Sequence, residues 1–296
     1  MAPQPTPRLF CFGLGYSAQA LARRLRARGW AVAGTTRSEA AAAVLRAEGY
    51  EVFVFERARP LAEPAAALAG TSHLLVSVPP DEAGDPVAEL HGDDTAACQS
   101  IAWAGYLSTT GVYGDRAGGW VDEDSKLAPT SERARRRVAA ERAWLDLHRT
   151  AGLPLHVFRL AGIYGPGRSA LDQVRAGTAR RIHKPGQVFS RIHVEDIARV
   201  LEASIARAEP GRVYNLSDDA AAPPAEVIAY AGELLGVAPP PLVAFEAAEL
   251  SAMARSFYRD NKRVSNRRIK EELGVALAYP DYRTGLKAIL EAGGLL

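Results

Sequence analysis

The sequence predicts an α/β fold, a doubly wound parallel sheet with a smaller C-terminal part, on three observations. Short apolar runs alternate with stretches of helical length and period as far as residue 160. A Gly-x-Gly-x-x-Ala turn joins the first apolar run to the first helical stretch. Past Ala161 the rhythm loosens, and Gly and Pro gather at Gly162–Arg168 and Lys184–Gly186. Strands separated by helices imply a parallel sheet covered on both faces, because right-handed crossovers return each strand in the same direction.

Taken in order, strands are expected at Leu9–Phe12, Ala31–Thr35, Glu51–Phe55, His73–Val78, Gly105–Ser108 and Leu155–Leu160. The helices between them are Ser17–Arg28, Glu39–Glu48, Ala62–Leu68, a helix near Thr95–Trp103, and Ser131–Thr150. A helix at Val194–Arg207 and a strand at Arg212–Leu216 follow, and the Pro-rich Ala238–Pro241 leads into a largely helical end. Residues 1–162 are therefore expected to form the nucleotide-binding domain. Residues 163–296 form mainly a substrate-binding part, from which segments near 186–217 return to the core domain.

Composition narrows the function classes. With 48% hydrophobic and 24% charged residues the chain is an ordinary globular protein, and a net charge of +2 gives no basis for a nucleic-acid or membrane partner. Cys11 and Cys98 are the only cysteines, both in segments that read as buried, so neither a disulfide scaffold nor a cysteine-rich metal site is expected. Asp122, Glu123 and Asp124 form an acidic loop without partnering ligands, and no metal is expected there. The lead Met1–Arg8 is polar and Pro-rich, and the apolar run Leu9–Leu14 is broken at Gly13 and Gly15. No run approaches the ~18 residues of a membrane span. A cytoplasmic protein is the expectation.

The strongest local signal is Phe10-Cys11-Phe12-Gly13-Leu14-Gly15-Tyr16-Ser17-Ala18. Gly13 permits a tight turn, Gly15 lets the backbone approach a pyrophosphate, and Ala18 is small enough for close helix–strand packing in a Rossmann-type domain. With Tyr16 and Ser17 opening the helix, free N–H groups and the positive dipole end would face the anion. The next strand ends at Thr36-Arg37-Ser38, where NAD sites carry an Asp or Glu for the ribose 2′-OH. Hydroxyls and a guanidinium suit a 2′-phosphate instead, so NADP(H) is the expected cofactor, with NAD as the alternative. A solvated arginine after a strand is the plainer reading of Arg37.

Later segments join this turn in a recognisable order. Ser108-Thr109-Thr110-Gly111-Val112-Tyr113-Gly114, Phe158-Arg159-Leu160-Ala161-Gly162-Ile163-Tyr164-Gly165-Pro166-Gly167-Arg168, Arg191-Ile192-His193-Val194-Glu195-Asp196-Ile197-Ala198 and Tyr214-Asn215-Leu216 follow one another. Together they resemble the extended and atypical short-chain dehydrogenase/reductases, the NAD(P)-dependent epimerase/dehydratase superfamily. The resemblance puts Thr109 at the position that touches the substrate oxygen and carries the chain past the nicotinamide at 158–168. It implies a small-molecule substrate, a nucleotide sugar being one class. A homodimer is common in the family, and the sequence leaves it open here.

One departure concerns the chemistry. Family enzymes carry Tyr-x-x-x-Lys on the helix after the fifth strand; alignment on Pro129 and Glu141 puts Arg133 and Arg137 there. Arginine stays charged and cannot donate the proton. Arg137 could hold the nicotinamide ribose, while Arg133, Arg135, Arg136 and Arg137 also read as a solvated face balanced by Glu132 and Glu141. Tyr258 and Lys262 have the right spacing in the wrong place, and His193 reads as a loop-orienting residue. The remaining hydroxyls are Thr109, Tyr113 and Tyr164; either tyrosine could act as an acid if a cation such as Arg137 lowered its pKa, or both are packing aromatics. Two functions stay open: an NADP(H)-dependent oxidoreductase or epimerase acting on a carbonyl or carbinol, and a cofactor-binding regulator or scaffold without catalysis.

Overall fold

The computed structural model describes residues 6–207 and 209–293; the first five residues of the polar lead lie outside the described residues. The chain begins with β1 (Arg8–Phe12), α1 (Tyr16–Arg26), β2 (Ala31–Thr36), α2 (Glu39–Ala47) and β3 (Glu51–Val54). It continues through α3 (Pro64–Leu68), β4 (His73–Val76), α4 (Pro86–Ala97), β5 (Trp103–Thr109) and α5 (Glu132–Ala151). Two more strands, Leu155–Leu160 and Val213–Leu216, complete a seven-stranded sheet among the described residues. Its order is Val213–Leu216, Leu155–Leu160, β5, β4, β1, β2, β3. All pairings among β1 to β5 are parallel. This is the expected doubly wound α/β sheet.

Strand β1 is central, and Leu9, Phe10, Cys11 and Phe12 are wholly buried, which is why the run is continuously apolar instead of alternating. Burial also pushes the Cys11 thiol pKa far up, so it stays an inert thiol. Helix α1 buries Ala18, Leu21, Ala22 and Leu25 on one stripe. Its last turn carries Arg23, Arg24 and Arg26, where the negative dipole end favours cations.

The helix expected near Thr95–Trp103 is corrected: α4 runs Pro86–Ala97, and Trp103 opens β5. The reason lies at its start. Asp85 Oδ1 accepts from Val87 N and Ala88 N at 3.0 Å each, and Pro86 occupies the first helical position, where a missing N–H costs nothing. Cys98 ends the helix and is half-buried, less enclosed than expected. Among the described residues no helix is long and apolar enough to cross a membrane.

The chain divides into two compact units. The first comprises residues up to 109 with 135–159 and 197–214. Its core holds Phe10, Phe12, Leu74, Val76, Tyr106, Trp144 and Val157. The second comprises 110–134, 160–196 and 215 onward. Its core packs Tyr164, Leu171, Ile228, Tyr282 and Leu286 around the helices Ala170–Arg175, Pro224–Leu234 and Tyr282–Gly293.

His156, inside the first unit, stacks between Trp103 and Phe158, with ring centroids at 5.9 and 6.4 Å. Its Nδ1 lies 3.3 Å from the Ala104 carbonyl, which fixes the proton there, while Nε2 has no hydrogen-bond partner. Burial lowers its pKa to about 4 from an ordinary 6.5. Between those values the unfolded chain takes a proton that the folded chain refuses, so the stabilisation present above pH 6.5 is lost as pH falls towards 4. Relative to His156→Phe, the wild type should lose on the order of 3 kcal/mol between pH 7 and pH 4 in urea unfolding. A difference that does not move with pH would show that the imidazole is not held neutral.

Candidate functional site

At the end of β1 the chain turns sharply, and Gly13 has φ +86°, a conformation that side chains rarely adopt. Three strands hold the turn. Gly13 N donates to Thr35 Oγ1 at 2.9 Å and Leu14 N to Thr35 O at 2.7 Å, both on β2. Ser77, just past β4, donates its hydroxyl to Gly13 O at 2.5 Å. A Cβ on Gly13 would lie 2.7 Å from Ser77 Oγ and 3.1 Å from Val78 Cγ2. Gly15 differs. It is exposed and extended, it precedes α1 without a capping side chain, and a Cβ built on it meets nothing within 4 Å. Space is thus left on the side where a dinucleotide's pyrophosphate would approach, at a helix start formed by half-buried Tyr16 and buried Ser17 and Ala18. These residues fit such a cofactor.

The expected 2′-phosphate residues lie at the end of β2. Thr36 is half-buried as its last residue, and Arg37 is exposed. Among the described residues the Arg37 guanidinium makes no hydrogen bond or ion pair with protein. Ser38 caps α2, its Oγ accepting from Ala41 N at 3.3 Å.

Thr109 is half-buried at the end of β5. Arg133 is exposed on α5, whereas Arg137 is half-buried and folds back, its Nη1 donating to Leu107 O at 2.7 Å and Tyr106 Oη at 3.1 Å. The Tyr106 phenol beside it is wholly enclosed, and burial raises its pKa despite Arg137. Glu141 does not balance the arginine cluster as expected. It is 2% exposed and pairs with Arg159, Nη2 to Oε2 at 2.8 Å, while Ser108 donates to it at 2.5 Å. Sequence reasoning missed this buried ion pair, although Arg159 inside an apolar strand called for a carboxylate. Breaking such a pair costs about 3–5 kcal/mol, so it pins the strand next to Thr109.

In the second unit Tyr113 is wholly buried and donates to Asn215 Oδ1 at 2.7 Å. Tyr164 donates to Asp281 O at 3.2 Å and packs edge-on against His193 at 5.1 Å. Burial, then the nearby Asp218, Asp196 and Asp281, raise the Tyr164 pKa, the opposite of the lowering an acid catalyst was expected to need. His193 accepts from Glu195 N at 3.2 Å, and burial lowers its pKa to about 4. Tyr258 and Lys262 do not act as a pair: Tyr258 packs against Phe189 and Phe245, and Lys262 Nζ donates to Gly114 O at 2.9 Å. Among the described residues no cluster could hold a metal ion.

Residues 96–217 match the sequence profile of the NAD dependent epimerase/dehydratase family. Over that segment, less than half of the chain, the sequence is similar to that family. Among its relatives, a conserved, functionally unknown protein from Silicibacter pomeroyi DSS is 53% identical with a TM-score of 0.90, over 97% of this chain and 99% of that one. Protein YeeZ of Escherichia coli (strain K12) is 29% identical over 281 residues, 91% of this chain and 95% of that one. The UDP-glucuronic acid 4-epimerase from Bacillus cereus, in complex with UDP-glucuronic acid and NAD, superposes with a TM-score of 0.78 over 98% of this chain and 100% of that one. At 14% identity that last likeness is one of fold.

The two glycines of this turn separate folding from binding. Gly15→Val should leave the urea midpoint nearly unchanged and abolish nicotinamide-nucleotide binding in calorimetry. Gly13→Ala should destabilise, by the left-handed backbone cost of about 1 kcal/mol plus the clash with Ser77. Undiminished affinity in Gly15→Val would remove the turn from the binding site.

Proposed function

We propose that the chain is an NADP(H)-dependent oxidoreductase or epimerase acting on a carbonyl or carbinol, with a nucleotide sugar as substrate class. The observation that carries this reading is the open space at Gly15, before a helix that no side chain caps. When bound, the nicotinamide supplies the hydride chemistry. The backbone of Gly13 to Ala18 receives the pyrophosphate; Thr36, Arg37 and Ser38 receive the 2′-phosphate; Arg137 holds the nicotinamide ribose. Thr109 hydrogen-bonds the substrate oxygen. The raised pKa of Tyr164 keeps its proton on at neutral pH, so this phenol serves as a donor and not as a base. The substrate class is supported by the family match over residues 96–217 and by the UDP-glucuronic acid bound by the fold relative.

A second reading, a cofactor-binding regulator without catalysis, is favoured by one specific observation. Both candidate phenols are buried and already donate to protein acceptors, Tyr113 to Asn215 and Tyr164 to Asp281. Titration with NADPH and NADH, followed by turnover assays with a panel of UDP- and dTDP-sugars, separates the two. Arg37→Ala should weaken NADPH by about 1.5–3 kcal/mol and NADH hardly at all, the range of a hydrogen bond to a charged group. Equal losses would remove the 2′-phosphate assignment. Tyr164→Phe should cut turnover and spare cofactor affinity. Tight NADPH binding with no turnover on any sugar would favour the regulator.

A further inference from the structure

Loops leave the sheet after β2, β3 and β4, and two arginines of the loop after the edge strand β3 reach the other two. Arg57 reaches one way: Nε donates to Asp81 at 2.7 Å and Nη1 to Glu89 at 2.5 Å. Its charge is met by two carboxylates. Arg59 reaches the other way, and its Nη2 donates to the backbone carbonyl of Arg37 at 3.1 Å. The acid beside it is Glu56, whose Oε1 lies 3.6 Å from Nη2, and both side chains are about half exposed. The Arg59 backbone is fixed independently of its side chain, since Glu56 and Arg59 exchange N–H···O bonds of 3.2 and 2.9 Å.

We propose that Arg59 is a second ligand for the 2′-phosphate and, with Arg37, sets the preference for NADP(H) over NAD(H). The inference rests on the reading of Arg37 given above and deepens it. A phosphomonoester carries about −1.5 to −2 charges at neutral pH, more than one guanidinium neutralises. Arg37 contributes one cation with no protein partner among the described residues. Arg59 is docked on the peptide carbonyl of residue 37, so its head group is placed by the same backbone that presents Arg37 and Ser38. With one Nη2 N–H engaged on that carbonyl, the Nη1 donors are left for phosphate oxygens. The opposing carboxylate among the described residues, Glu56, is solvent-exposed and more than 3.5 Å away, a weak competitor for the phosphate. A ribose 2′-hydroxyl carries no charge to reward either arginine, so NADH gains little from them.

Calorimetric titration of NADPH, NADH, 2′,5′-ADP and 5′-AMP tests the inference on the wild type, Arg37→Ala, Arg59→Ala and Arg59→Gln. Glutamine keeps a donor for the Arg37 carbonyl and removes only the charge, so it remains informative if the alanine variant disturbs the loop. Arg59→Gln should weaken NADPH and 2′,5′-ADP about ten-fold to a hundred-fold and leave NADH and 5′-AMP within about two-fold. If the wild type binds 2′,5′-ADP no better than 5′-AMP, the NADP(H) reading itself fails and the inference falls with it. If the wild type prefers 2′,5′-ADP and Arg37→Ala removes that preference while Arg59→Gln keeps it, the inference alone is overturned. Equal weakening of NADPH and NADH by Arg59→Gln would make Arg59 a loop strut and also overturn it.

Discussion

Both backbone polar groups of Gly13 are taken by neighbouring strands, and the geometry of the first unit follows from that. Its N–H goes to the Thr35 hydroxyl and its carbonyl receives the Ser77 hydroxyl. A buried backbone group left unpaired costs about 1–3 kcal/mol, so these bonds hold a left-handed turn that would otherwise relax. They exist because β1 lies between β2 and β4 in the sheet. The central strand can hand its chain to α1 only through a turn gripped from both sides. The open approach at Gly15 is the product of that grip, since the turn's own polar groups are satisfied elsewhere.

The rest of the first unit arranges positive charge at the strand ends and hides negative charge inside. Arg37 stands exposed after β2, and Arg137 lies half-buried against the end of β5. Glu141 is buried beneath, where Arg159 and Ser108 satisfy it. The arginine-rich helix α5 therefore remains well integrated. Arg137 is held by two bonds to β5, a fixed cation and not a loose surface charge.

Much of this was legible because it depends on local rules. Continuous apolar runs marked the buried strands, and two glycines between the run Phe10–Phe12 and the stretch from Ser17 marked the turn. The misplacement of α4 was local as well: Asp85-Pro86 is a cap followed by a proline suited to the first helical position, and it signalled the true start. The partnerships were not legible, because they join residues far apart in sequence. Ser77 meets Gly13 across 64 positions, and Tyr113 meets Asn215 across 102. Glu141 looked like one more helix-surface acid until Arg159, on a strand 18 residues on, was seen to bury it. Charge on a helix reads as solvation unless the sequence also reveals what faces it.

The second unit shows how burial handles protons where the usual pair is missing. In a Tyr/Lys pair the lysine eases the proton off the phenol by favouring the anion. Around Tyr164 the order is reversed: desolvation and three carboxylates hold the proton on, and Arg191 opposes them only weakly. Asp218 behaves likewise. Burial pushes its pKa up to about 7, Ala220 N and Arg191 offset only part of the penalty, and one of its oxygens has no hydrogen-bond partner. Tyr164 keeps its proton at neutrality and Asp218 is divided between its two forms there, in both cases because water is excluded and not because a cation tunes them. Any chemistry drawn from Tyr164 runs as donation: a desolvated acid offers its proton readily only to an atom gaining negative charge, the condition that hydride delivery to a carbonyl creates.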